Sequence, residues 1–145
     1  MPNTICLAAE LAASPSDIFD TYLDSRAHAA VTGAPATVAP RAGAEFSAFD
    51  KVLRGRILHV EPKRLIVQSW RASQWKNGEL DSTLILTLHS IGRTKTRIEL
   101  VQVNVPDHDF AGVSQGWERY YWAPWREYLK TRRASRGTRA KPRRG

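Results

Sequence analysis

The chain has little of what usually marks chemistry. One cysteine, Cys6, among 145 residues rules out an internal disulfide and cannot build a thiolate metal cage. The four histidines, His28, His59, His89 and His108, are scattered, with no pair at metal-ligand spacing. There is no glycine-rich phosphate loop and no serine elbow. No apolar run approaches the roughly 20 residues that span a bilayer, and the N-terminal stretch lacks the basic start and continuous apolar core of a secretory signal. These absences predict no metal, no cofactor, no transmembrane segment and a reducing, cytoplasmic setting. Cys6, on a first strand, reads as a small buried hydrophobe rather than a nucleophile.

Acidic residues are missing from one end of the chain. The net charge of +8 resembles a nucleic-acid signal until it is located. Residues 131–145 hold Arg132, Arg133, Arg136, Arg139, Lys141, Arg143 and Arg144 and no acid, which leaves 15 basic against 14 acidic residues elsewhere. We read residues 1–130 as one nearly neutral domain and 131–145 as a basic, disordered tail with too few apolar side chains to bury. That tail suits polyanions, either nucleic-acid phosphates or anionic lipid heads. No aromatic residue interleaves with the arginines, so bases have no stacking platform and no specific nucleic acid is expected. Solvation alone is the competing reading.

Aromatic residues, in contrast, are concentrated. Asp107 to Lys130 holds three of the five tryptophans and three of the four tyrosines. Phe110, Val113, Trp117, Tyr120, Tyr121, Pro124, Trp125, Tyr128 and Leu129 recur at steps of three and four, which gathers them on one face of a helix. Asp107 suits the helix start, and Arg126, Lys130 and Arg132 suit its end. Pro124 has no N–H for the carbonyl of Tyr120, so a kink is expected there. Trp122 falls off the stripe and either touches a second surface or lies partly exposed.

The rest of the chain supplies a cover for that face. Thr4 to Leu11 reads as a strand. Ser14-Pro15-Ser16-Asp17 is a helix start with a cap, a proline at the first turn and a capping-box acid. A second short helix over Ser25 to Thr32 stops at Gly33. Ala36 to Val38 reads as a brief edge strand. Glu45–Phe49, Leu53–Val60, Leu65–Ala72, Ser82–His89 and Thr96–Val103 follow as antiparallel strands, with turns at Asp50-Lys51, Glu61-Pro62-Lys63, Asn77-Gly78 and Ile91-Gly92-Arg93. The fold class is therefore α+β: a sheet of about six strands, two short helices after the first strand, and a long C-terminal helix laid on the apolar face.

Three stretches in this order and spacing carry a family resemblance: SPSDIFDTYLDSRAHAAVTG, FSAFDKVLRGRILHVEPKRLIVQSWR and QGWERYYWAPWREYL. Gly55-x-Ile57 leading to Pro62, Arg64-Leu65-Ile66, Trp70 and Gly116-Trp117 are the telling positions. The chain resembles the activator of heat-shock-protein-90 ATPase homologue family, within the START-like, helix-grip (SRPBCC) superfamily, over roughly Ala8 to Leu129. Where relatives usually have paired glycines before the strand at Phe46, this chain has Gly43-Ala44. The resemblance implies a curved sheet gripping the last helix around an apolar cavity.

Phe46 and Ala48 share one strand face, as do Ile66, Gln68 and Trp70. With Trp75, Trp117 and Tyr121 they are the candidate cavity lining, with Gln68 and tyrosine hydroxyls as polar handles. The same rings also suit plain core packing. The function expected is non-catalytic: a monomer binding a small hydrophobic ligand, lipid or polyketide-like, or a protein-binding module whose implied partner is a chaperone ATPase. An enzyme of the polyketide cyclase or hydrolase sort is the alternative. It would need an acid or base in the cavity, with Asp50 and His28 the nearest candidates, although Asp50 reads more simply as a turn residue. Glu118 is expected to pair with a surface Arg or Lys.

Overall fold

The computed structural model describes the backbone of residues 3–140 and the side chains of residues 3–133. Six strands form one antiparallel sheet in the order β1-β6-β5-β4-β3-β2. They are β1 (Asn3–Leu11), β2 (Glu45–Ala48), β3 (Leu53–Glu61), β4 (Leu65–Ala72), β5 (Ser82–Ile91) and β6 (Lys95–Val105). Alternation fixes which face is covered. Ile66, Gln68, Trp70 and Ala72 of β4, Ser82, Leu84, Leu86 and Leu88 of β5, and Thr96, Ile98, Leu100 and Gln102 of β6 are all buried. Their strand neighbours are exposed or half-buried, as a sheet packed on one side requires. Cys6 sits on the other face of edge strand β1 and is exposed, not buried as its type suggests. The inward positions there are Ile5, Ala9 and Leu11.

Local chemistry sets both short helices. In α1 (Pro15–Tyr22) the Ser14 Oγ accepts from the Asp17 N–H at 3.2 Å, with proline in the first turn. The Asp17 carboxylate does not reach back to the cap; it accepts from the Thr21 hydroxyl and pairs with Arg132 of the last helix. In α2 (Ser25–Thr32) Asp24 caps the start and Gly33, at φ +78°, ends the helix in the left-handed conformation glycine tolerates. The brief strand near Thr37 is reduced to a single bridge with Ser47.

The C-terminal helix changes character along its length. A 3-10 turn (Asp107–Asp109) leads into α3 (Phe110–Gly116), then a π-helical segment (Trp117–Trp122), then α4 (Ala123–Ala140). Asp107 opens the turn, and its carboxylate accepts from the Asn3 side chain at the start of β1. The π segment sits where Pro124 removes the donor for Tyr120: the Ala123 N–H returns to the Glu118 carbonyl, five residues back. The extra residue rotates the stripe. Tyr120, expected on the buried face, is 51% exposed, while Trp122 is 3% exposed and stacked between Trp117 and Trp125. Helix α4 runs past Lys130 to Ala140.

Candidate functional site

Between α3, the π segment and the β2–β4 end of the sheet lies a pocket of about 470 Å³. Trp70 and Ala72 of β4, Leu53 of β3, Val113 of α3, and Trp117 and Tyr121 of the π segment form its floor and walls. Phe49, Val52 and Tyr120 reach its mouth, and Gln74 and Asp109 supply its polar edge. Two glycines, Gly112 and Gly116, also line it. Four residues apart, they share one helix face and leave that face bare, so the helix stands off from the sheet without filling the gap.

The structure separates the expected lining into two groups. Trp70, Trp117 and Tyr121 line the pocket. Phe46, Ala48, Ile66 and Gln68 lie on the predicted inner face but deeper, as packed core. Trp75 is also buried; its ring packs on Trp70 at 5.5 Å and its Nε1–H donates to Asp109 Oδ2 at 2.7 Å, so it braces the polar edge from behind. Phe49, Val52, Asp109 and Tyr120 were not anticipated. The Gly112/Gly116 pair in an otherwise aromatic helix was the available signal for an opening there.

The pocket wall is held by a buried polar chain. Trp117 Nε1–H donates to Gln102 Oε1 at 2.9 Å, Gln102 Nε2 donates to Ser82 Oγ at 3.0 Å, and Ser82 donates to the Trp70 carbonyl at 2.7 Å. Every link is satisfied, and this fixes the indole against the sheet. At the mouth, Phe49, Asp50 and Lys51 occupy successive left-handed conformations, with φ of 52°, 54° and 71°. Non-glycine residues adopt this at a cost of about 1 kcal/mol or more each. Asp50 is thus an exposed turn residue, as its sequence context suggested, and does not face the pocket.

His28 is 2% exposed and lies behind the pocket rather than in it. Its Nδ1 is 2.8 Å from the Tyr22 carbonyl, which only accepts, so Nδ1 carries the proton. Nε2 therefore accepts from the Tyr121 hydroxyl at 2.9 Å. The Tyr22 hydroxyl donates to Gln68 Oε1 at 2.5 Å. Burial pulls the His28 imidazole below its ordinary value of 6.5, outweighing the Tyr22 carbonyl, which pulls it up. Burial also pushes both tyrosine hydroxyls well above the usual phenol range. Below about pH 6.5 the unfolded chain binds a proton at His28 that the folded protein refuses. Stability should therefore fall as pH drops from there toward the lowered folded value. Urea midpoints across that window check this, and His28→Gln should flatten the slope; an equal slope in the variant would assign the effect to other groups.

The remaining candidates lie apart from the pocket. Glu118 pairs with Arg126 at 2.8 Å on the surface. Arg132 is bound by Asp17, and its guanidinium stacks over Tyr128 at 5.3 Å. Arg133 is exposed; the side chains of Arg136 and Arg139, and all of Lys141, Arg143 and Arg144, lie outside the described residues. Among the described residues no cluster of His, Cys, Asp or Glu has metal-site geometry, and no helix is long and apolar enough to cross a membrane.

Comparison with known proteins bears on the fold and the family. Residues 12–130 match the family described as Activator of Hsp90 ATPase homolog 1-like protein. The activator of 90 kDa heat shock protein ATPase homolog from Dictyostelium discoideum is 29% identical over 117 residues, covering 81% of this chain and 30% of its own length. Human activator homolog 1 is 26% identical over 118 residues, covering 81% and 34%. The chain thus spans about a third of the length of these curated relatives. Among solved structures, an HSP90 activator from Plasmodium falciparum superposes with a TM-score of 0.79 at 19% identity, covering 88% of this chain and 96% of that one. CalU16 from Micromonospora echinospora superposes at 0.66 with 24% identity, covering 81% and 68%. The six-stranded sheet closed over a long C-terminal helix is the START-like, helix-grip fold, and the chain belongs to the Activator of Hsp90 ATPase homolog 1-like family.

Proposed function

We propose that this domain is a non-catalytic carrier that binds a small hydrophobic ligand in the pocket between sheet and C-terminal helix. The observation that supports it is the pocket itself. About 470 Å³ lined mainly by aromatic and aliphatic side chains falls within the roughly 300–1,000 Å³ of small-molecule sites. Neither Asp50 nor His28, the acid and base expected for a cyclase or hydrolase, lines it; the carboxylate that does, Asp109, accepts from Trp75 and Gln74. The neutral dye N-phenyl-1-naphthylamine should bind saturably and quench tryptophan emission. Val52 lies at the mouth and is 46% exposed, so Val52→Trp has room toward solvent and should obstruct entry, weakening dye binding about tenfold or more. Equal dye affinity in Val52→Trp would move the binding site elsewhere.

A second reading is contact with a chaperone ATPase. It is supported by the sequence similarity to the Dictyostelium and human activators. Hsp90 ATPase rates with and without this protein test it, and an unchanged rate removes it while leaving the carrier reading in place.

A further inference from the structure

The pocket lining carries one kind of formal charge. Among the described residues Asp109 is the sole acid that lines it, and no Lys, Arg or His does. The same lining holds a continuous belt of rings. Trp70 and Trp117 lie 6.4 Å apart, Trp117 and Tyr121 4.9 Å, Tyr121 and Phe49 5.6 Å, and Phe49 and Tyr120 6.0 Å. Resting on the carrier reading, we propose that the pocket's ligand is a lipophilic cation, an apolar body bearing an ammonium group held between the aromatic belt and Asp109.

Two details of Asp109 carry the assignment. Its Oδ2 is occupied, accepting from Trp75 Nε1–H at 2.7 Å and from Gln74 Nε2–H at 3.1 Å. These bonds fix the carboxylate without neutralising it. Among the described residues no basic side chain pairs with Asp109, and nothing donates to Oδ1. Space beside Oδ1 is kept by Gly112, where a Cβ would lie 2.9 Å from it. Arg119 stacks on Tyr120 at 5.5 Å but is not part of the lining.

The three ligand charges are not equivalent in such a site. A neutral amphiphile would desolvate Asp109 and return at most one hydrogen bond without charge compensation, and an anionic one would add repulsion. An ammonium group replaces lost hydration with the carboxylate on one side and ring quadrupoles on the other. The same carboxylate, presented by an aromatic-walled apolar pocket, thus selects for charge while the walls select for hydrophobicity.

Titrating the full chain with dodecyltrimethylammonium and dodecanoate, each below its micelle threshold, and with dodecanol below its solubility limit, tests this. The ammonium compound should bind about tenfold or more tighter than the alcohol, and the carboxylate weakest. Asp109→Asn keeps an acceptor for Trp75 and Gln74 but removes the charge, so the ammonium-to-alcohol affinity ratio should collapse toward one. Alcohol or carboxylate binding as tightly as ammonium overturns this inference and leaves the carrier reading standing. Failure of all three to bind overturns both. A ratio unchanged in Asp109→Asn overturns the role of Asp109.

Discussion

Gly55→Ala should be among the most damaging single substitutions in the chain. A Cβ at that position would lie 1.9 Å from the Ser69 carbonyl oxygen and 2.6 Å from its carbon. Both atoms are backbone of β4, so no side-chain rotation relieves the contact. The strand must retreat, yet β3 is held on its other side by β2, where Phe46 sits opposite Gly55. We expect a loss of about 3 kcal/mol or more, which for a domain of this size lowers the melting temperature by roughly 10 °C. Thermal and urea unfolding followed by circular dichroism measure it. Gly78→Ala is the control, because a Cβ there meets nothing within 4 Å; matching shifts in the two variants would remove the steric explanation.

The second large effect is expected at Trp117. Its indole is 2% exposed, packs on Trp70, Tyr121 and Trp122, and donates to Gln102. Truncation to alanine removes that packing and leaves Gln102 Oε1 buried without its donor, for a cost of roughly 3–5 kcal/mol. Trp117→Phe keeps most of the ring and loses only the N–H, so its cost should be smaller, about 1–3 kcal/mol. Denaturant midpoints of the two variants separate packing from hydrogen bonding. If Trp117→Phe were as damaging as Trp117→Ala, the buried polar chain through Ser82 would be the dominant support of this wall.

Much of this architecture can be read from period alone. STLILTLH and TRIELVQV alternate cleanly, and they pair as β5 and β6 in the register Leu84–Gln102, Leu86–Leu100 and Leu88–Ile98. The caps of α1 and α2 follow from Ser14, Pro15 and Gly33. Alternation fails where both parities are apolar: in TICLAAEL nothing distinguishes Cys6 from Ile5, and only the sheet tells which points in. The pocket was legible as a face but not as a depth. Phe46, Ile66 and Gln68 share the correct side with Trp70, yet whether a position on that side meets empty space depends on the helix opposite. Gly112 and Gly116 stand across from the Trp70 end, while Tyr22 fills the space over Gln68 and stacks on Phe46. Such pairings arise between segments far apart in sequence.

The π segment affects how this chain must be compared with others. One surplus residue between Trp117 and Trp122 is a phase shift of about 100° in a helix. A relative whose helix is α throughout has to be aligned with a one-residue gap there. Without the gap, Trp122 and Trp125, which are buried here, would be matched to solvent-facing neighbours. The pocket-forming half of the helix and the half that packs on α1 and α2 are therefore separate reading frames, and similarity in one carries no information about register in the other.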